Sequence, residues 1–433
     1  MPIDPRVAKL VKATVCKTVY RWFESSPWDQ PARDAAARPL ERHMPPPTMS
    51  TPPSPAAPDI ARRAALIERN LAELLTREEL LGLLTAGEPL RHYIGYEISG
   101  RVHLGGGLVL MAKVRDFQEA GVDCTVLLAD WHTWINDKLG GDRDRIRRLA
   151  LAYYGEAMRA SLLCVGGDPD ALHLVLASDL YADPARDYWA TMIEVAKHTS
   201  VARMQRSVTI LGRREGEQHD FAKLIYPAMQ AADIFALGVH IAHAGMDQRK
   251  AHVIARDVAT RMRINPLHDA AGTAIKPLAA HSALLPGLLK PDRWPVPPEE
   301  RAEALAAMKM SKSKPRSAVF IHDSPDEIRA KLRGAFCPPG EVELNPVLDW
   351  IEQLCFGLGD TALRVERTPD HGGPVTFSSV REVREAYASG SLHPMDAKAA
   401  LADRLIDRLE PARRHFADAR RAAALAEMES LTA

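Results

Sequence analysis

The run from His92 to Ala129 constrains this chain more than any other. A strand pattern (His92-Tyr93-Ile94-Gly95-Tyr96) passes through a Ser99-Gly100 turn into a helical pattern from Leu104 to Ala120, and returns as the apolar strand 124–129. Two strand patterns separated by a helix-length crossover pair in parallel, with the helix on one face of the sheet. The alternation repeats downstream as helix 142–163, strand 172–177, helices near 184–200 and 220–236, strand 238–243 and helix 247–263. Such a rhythm predicts an α/β chain with a Rossmann-like, doubly wound parallel sheet.

The flanking segments differ in character. Asp59 is placed to cap a long helical pattern through about Leu84, with Ile60, Ala64, Ile67, Leu71 and Leu74 at helical spacing. From 264 to 308 the chain reads as irregular, with Pro286, Pro291, Pro295, Pro297 and Pro298. Beyond it the pattern is mostly helical (324–335, 346–356, 379–388, 396–425), with short strands near 363–366 and 374–377. A length of 433 residues suits about two or three domains. The expected division is 59–322 and 323–433, with an insertion over about 264–308. Residues 1–58 hold 12 of the 32 prolines. They are read as disordered, or as an N-terminal extension assigned in error upstream of Met49.

Charge and cysteine usage narrow the function classes. Lys+Arg and Asp+Glu are equal at 56 each, so an RNA contact would need a local basic patch. The five cysteines carry no Cys-x-x-Cys pair, which argues against a zinc site or a disulfide framework and fits a reducing cytoplasm. No apolar run reaches the roughly 18 residues that a membrane span needs.

Two motifs carry chemistry. Ser99-Gly100-x-x-His103-Leu104-Gly105 sits at the strand-to-helix junction and offers an imidazole, bare backbone N–H groups and the positive end of a helix. Gly105, Gly106 and Gly107 would let a nucleotide approach the backbone. About two hundred residues later, Lys309-Met310-Ser311-Lys312-Ser313 puts two mobile ammonium groups on one short loop. A phosphoryl-transfer site needs charge stabilisation and positioning more than acid–base catalysis, and both motifs supply these. Together they point to a class I aminoacyl-tRNA synthetase, with His103, Lys309 and Lys312 as the catalytic candidates. His103, Gly105, Gly106 and the two lysines would hold ATP with Mg2+, and no protein metal site is expected.

With these motifs in place the chain resembles the tyrosyl-tRNA synthetases of the archaeal and eukaryotic type. The resemblance runs from about Ile60 to Arg414, through Tyr93–Gly100, Val102–Gly105, Leu127–Asp130, Ile225–Gln230, Gly245–Lys250, the lysine loop and Leu392–Asp396. It implies that Tyr93 and Asp233 bind a substrate phenol hydroxyl. It also implies that Tyr226, Gln230 and Gln248, with Glu97 beside them, receive the α-amino end. A site built around a buried hydroxyl discriminates against the analogue lacking it by roughly 10⁴–10⁵. The C-terminal part resembles an anticodon-binding domain, in which Asp396 would read the first anticodon base and His371 would stack on it. Arg249 and Lys250 would face the acceptor stem. Arg404, Arg408, Arg413, Arg414, Arg420 and Arg421 suit phosphate contacts, or equally a solvated helix face paired to Asp403, Asp407 and Glu410.

The implied activity is ATP-dependent joining of L-tyrosine to tRNA(Tyr) by a cytoplasmic homodimer. Two alternatives stand beside it: a paralogue making tyrosyl-adenylate for a non-tRNA acceptor, and a catalytically silent RNA-binding protein. One departure bears on ATP. The family's first motif usually ends in a second histidine where this chain has Gly106, which implies weaker ATP binding rather than lost chemistry.

Overall fold

The computed structural model describes residues 57–212, 220–301, 304, 308, 310 and 315–432. The expectation for 1–58, apart from its last two residues, lies outside the described residues, as do Lys309 and Lys312 of the lysine loop.

The chain order is α1 (Ala57–Glu68), β1 (Leu71–Leu75), α2 (Arg77–Thr85), β2 (Arg91–Tyr96), α3 (Leu110–Glu119), β3 (Asp123–Leu128), α4 (Asp130–Ile135), β4 (Leu172–Leu176), α5 (Tyr188–Lys197), α6 (Phe221–Leu237), β5 (Ile241–Gly245), α7 (Arg249–Val258) and β6 (Leu278–Ser282). The six strands form one sheet in the order β1-β6-β5-β2-β3-β4. Strands β2 to β6 run parallel, and β1 closes one edge antiparallel to β6. From β2 the chain winds outward through β3 to β4, then crosses back to β5 and β6 on the other side. Such a reversal leaves a crevice at the carboxyl ends of the central strands, where α/β sheets bind ligands. The parallel sheet of the α/β expectation is therefore present, with helices around it.

Downstream come α8 (Pro325–Arg333), α9 (Pro346–Leu354), the hairpin β7 (Leu363–Val365) and β8 (Val375–Phe377), helix Val380–Ala388, α10 (Pro394–Arg408), helix Glu410–His415 and α11 (Ala419–Ser430). Ser324 opens α8 with a reciprocal capping box to Glu327 and Pro325 in the first turn, the arrangement that satisfies orphan N–H groups at a helix start. The expected single helix over 396–425 is instead three. Pro411 opens a new helix after Leu409, and Asp418 caps the last one through the N–H groups of Arg420 and Arg421.

Two further expectations are corrected. The helix from Asp59 does not continue to Leu84. It ends at Glu68, Asn70 turns the chain at φ 57°, and Leu71–Leu75 becomes β1. Asparagine tolerates that left-handed backbone, and Lys113 finishes the stop. Its buried ammonium donates to the carbonyls of Leu66 (2.7 Å), Ile67 (3.1 Å) and Arg69 (2.6 Å), the groups a helix leaves unpaired at its end. Asp59 itself lies in the first turn of α1 rather than at the cap. Nor is 264–308 wholly irregular, because Leu278–Ser282 is a completely buried strand between β5 and β1. Leu-Ala-Ala-His-Ser has weak strand propensity, and neighbours on both sides impose the conformation.

A line of buried imidazoles crosses this sheet. His92 on β2 is fully buried, lies 4.6 Å from the Phe117 ring and 5.4 Å from His243 on β5, and neither of its nitrogens has a partner among the described residues. Burial, with help from the Lys113 charge, depresses its pKa to about 3. The unfolded chain takes up that proton near pH 6.5 and the folded chain does not, so folding loses stability as pH falls below about 6.5. We expect His92→Leu to flatten the stability–pH slope between pH 6 and 4 by about 1 kcal/mol per unit, measured by urea unfolding at several pH values. An unchanged slope would show that His92 does not contribute.

Candidate active site

Helix α6 organises the cavity by its period. Asp220 caps its N-terminus by accepting from the Lys223 N–H, and Gly238 ends it in the left-handed conformation. Tyr226, Gln230 and Asp233 fall four and three residues apart, hence on one face. That face meets β2, where alternation puts Tyr93, Gly95 and Glu97 on the same side of the sheet. Gly95 has no side chain to fill the space between Tyr93 and Glu97, which leaves the floor open.

These side chains line one cavity of about 290 Å³ at the carboxyl ends of β2 and β5. Tyr93, Glu97, His103, Gly105, Gly106, Tyr226, Gln230, Asp233 and Gln248 all border it, together with Met310 from the lysine loop. The sequence-based ATP and amino-acid candidates on described residues are thus brought together. Residues not anticipated also line it, notably His132, Tyr154 and Asp247. His132 follows the carboxyl end of β3 by four residues, and that position was the available signal.

The deep end is polar and buried. Asp233 and Tyr93 are almost fully buried. Burial pushes the Asp233 carboxyl well above its usual range, against the hydroxyls of Tyr181 and Tyr188, which favour its charged form. Tyr181, from the helix Ala177–Ala182, donates to Asp233 Oδ1 at 2.8 Å and stacks on Tyr188 with ring centroids 3.6 Å apart. Tyr93 Oη lies 3.4 Å from the Gln230 carbonyl. Its phenol is held protonated first by burial and then by the Asp233 charge. Burial likewise raises Tyr226, with Glu97 adding to the effect. Asn136 donates to Glu97 Oε1 at 2.7 Å, and the Gln248 amide donates to the Ile210 carbonyl at 3.0 Å.

At the mouth, His103 opens the first helical turn. The Gly106 N–H donates to His103 Nδ1 at 3.2 Å, so the neutral ring carries its proton on Nε2. A single wide turn, Gly105–Val109, leads into α3. Its three glycines differ in purpose. A Cβ on Gly106 would meet only His103 Cε1 at 3.8 Å, whereas one on Gly107 would stand 2.8 Å from Ile321 Cγ2 and 2.9 Å from Ser161 Oγ. Gly107 therefore serves packing, not nucleotide approach, and the cavity borders only Gly105 and Gly106.

The segment after the lysine loop is tied to this motif. Leu104 N–H donates to the Val319 carbonyl (3.0 Å) and Ile321 N–H to the Val102 carbonyl (3.1 Å). Within the loop, Met310 N–H donates to the Leu285 carbonyl at 3.2 Å.

The candidate RNA contacts lie elsewhere. Arg249 leads α7 and is gripped in a bidentate pair by Glu73, at 2.7 and 2.8 Å. Lys250 Nζ donates to the Arg206 carbonyl at 2.7 Å. Asp396 sits half-buried in the first turn of α10, which His393 caps. His371 ends the turn Pro369–His371, and its side chain lies outside the described residues. Among the terminal arginines, Arg404 and Arg408 both turn onto Asp360, and Arg421 pairs with Glu156 at 2.7 Å. Arg414 pairs with Glu410.

Among known proteins, the family described as tRNA synthetases class I (W and Y) matches residues 85–410. The tyrosine–tRNA ligase of Thermococcus sibiricus is 53% identical over 361 residues, covering 83% of this chain and 95% of that protein. The crystal structure of a tyrosyl-tRNA synthetase complexed with L-tyrosine from Pyrococcus horikoshii superposes with a TM-score of 0.83 at 51% identity, over 86% of this chain and 99% of that one. A tyrosyl-tRNA synthetase structure from Aeropyrum pernix gives a TM-score of 0.71 at 40% identity, over 86% and 99%.

Inserting a side chain at Gly107 overpacks the turn. We expect Gly107→Ala to destabilise the fold by about 1–3 kcal/mol and Gly106→Ala to be neutral or slightly stabilising, as read by urea denaturation. Equal effects at the two positions would contradict the packing account.

Proposed function

We propose, from the premise that this chain belongs to the class I tRNA synthetases of the tryptophan and tyrosine group, that it is a tyrosine–tRNA ligase using ATP. The observation that carries the reading is the single cavity shared by Tyr93, Gln230 and Asp233 at one end and by His103, Gly105 and Gly106 at the other.

In this reading tyrosine lies across β2 with its phenol toward Tyr93 and Asp233. Its ammonium faces Tyr226, Gln230 and Gln248, with Glu97 alongside, a set rich in acceptors. The tyrosine carboxylate attacks the α-phosphorus of ATP. An oxygen–phosphorus bond forms to the carboxylate, the bond to the bridging oxygen breaks, and pyrophosphate leaves. His103 Nε2–H and the Gly105 N–H, at the start of the turn that leads into α3, meet the phosphates, and Lys309 and Lys312 close over the leaving pyrophosphate. Donors that bind the departing charge more tightly than the ground state accelerate this step. A second step passes the tyrosyl group to the terminal ribose of the tRNA.

Among the described residues no cluster of His, Cys, Asp or Glu could hold a metal. Mg2+ therefore enters this proposal as the counter-ion of ATP, held by phosphate oxygens, its usual habit, and no step is routed through it. Residues 59–322 act as the catalytic body, and 323–433 read the anticodon through His371 and Asp396. Arg249 and Lys250 face the acceptor stem. The enzyme works as a cytoplasmic homodimer, and none of its described helices is long and apolar enough to cross a membrane. No observation favours a non-tRNA acceptor or a silent RNA-binding role.

Purified protein should catalyse ATP–pyrophosphate exchange that depends on tyrosine, and Lys312→Ala should reduce it by at least a hundredfold, about 3 kcal/mol of lost transition-state stabilisation. Exchange driven by tryptophan and not tyrosine would overturn the assignment.

A further inference from the structure

We infer that His132 is a further hydroxyl-reading residue of the cavity beside Tyr93 and Asp233, its Nε2 accepting the proton of a phenol whose oxygen lies between this nitrogen and Asp233. The inference deepens the tyrosine reading and rests on it.

The hydrogen-bond pattern fixes the tautomer. Tyr181 donates its one proton to Asp233 Oδ1 at 2.8 Å. Its oxygen can therefore only accept from His132 Nδ1, 3.3 Å away. The proton of the neutral ring thus sits on Nδ1, and Nε2 presents a lone pair. Burial keeps this ring neutral, with its pKa driven down to about 3. The ring is held edge-on against Tyr226, with centroids 4.5 Å apart at 82°, so it has little freedom to flip.

That lone pair is unanswered. His132 is 2% exposed and borders the cavity, and Nε2 has no hydrogen-bond partner among the described residues. Asp233 Oδ2 stands 3.8 Å from it, beyond hydrogen-bond reach. Two acceptors at that separation fit one oxygen between them, since an oxygen about 2.8 Å from each closes the triangle. A phenol hydroxyl brings the missing proton. If Asp233 holds a proton of its own, it turns that proton to the phenol oxygen, and the phenol's proton goes to Nε2. Phenylalanine offers neither atom and leaves His132 Nε2 buried without a partner among the described residues, a state that buried polar groups disfavour.

The test is exchange with tyrosine and with phenylalanine for the wild type, His132→Phe and His132→Gln. We expect His132→Phe to lower kcat/KM for tyrosine by about tenfold to a hundredfold while leaving phenylalanine unchanged or improved. His132→Gln, whose carbonyl oxygen can replace Nε2, should keep most of the discrimination. Equal losses with both substrates would mean that His132 is only a wall of the cavity, and would overturn the inference. Absence of tyrosine-dependent exchange in the wild type would instead refute the tyrosine reading. A measurement on the wild type covers the case in which neither variant folds. With ¹⁵N-labelled histidine, tyrosine should move the His132 Nε2 resonance away from its unprotonated position and phenylalanine should not; no shift with tyrosine overturns the inference.

Discussion

The site depends on two backbone hydrogen bonds that join Val102–Leu104 to Val319–Ile321. More than two hundred residues separate these segments, yet the entropic cost of closing such a loop grows only with the logarithm of its length. The junction is buried and reinforced. Val102 N–H donates to the Tyr153 hydroxyl at 2.9 Å, Tyr153 in turn meets His322 Nε2 at 3.1 Å, and Trp350 of α9 donates its indole N–H to the Pro286 carbonyl at 2.7 Å. Through these contacts the imidazole-bearing turn and the flanks of the lysine loop face the same cavity, and the helical C-terminal part packs against both.

The second constraint is the polar floor. Burying Asp233, His132, Tyr93, Tyr181 and Tyr188 together is unfavourable unless each donor meets an acceptor. The protein meets most of that demand internally, by the Tyr181–Asp233 and Tyr181–His132 bonds, and leaves part of it to a ligand. In the proposed reading, selectivity for a hydroxyl follows from the same desolvation that makes the floor costly. At Asp116, by contrast, the chain answers a buried charge itself, with Arg69, Arg115 and Lys113 around the carboxylate.

Particular elements explain what was legible beforehand. The strands β2, β3 and β4 are short segments rich in aromatic and branched apolar residues and bounded by turns, so local sequence suffices for them. Strand β6 and strand β1 do not: Leu-Ala-Ala-His-Ser and Leu-Ala-Glu-Leu-Leu would serve a helix as readily, and become strands because the sheet supplies backbone partners, β5 and β1 for β6 and β6 for β1. At the site, Tyr226, Gln230 and Asp233 could be placed on one face from helical spacing alone. His132 could not, because its role arises from Tyr181 and Asp233, which reach it from two other elements. Arg404 and Arg408 show the converse. Their sequence suggests a phosphate surface, but Asp360 draws both inward.

The amino-acid sequence by itself determined the α/β alternation, the two candidate phosphate motifs and the helical spacing that sets Tyr226, Gln230 and Asp233 on one face, since each of these follows from periodicity or local composition. Only the tertiary structure decided which strands complete the sheet, which glycine is needed for packing, and which buried nitrogen faces the cavity without a partner. These are properties of groups that meet from distant parts of the chain, and a hydrogen bond or a steric limit exists only once both partners are in place.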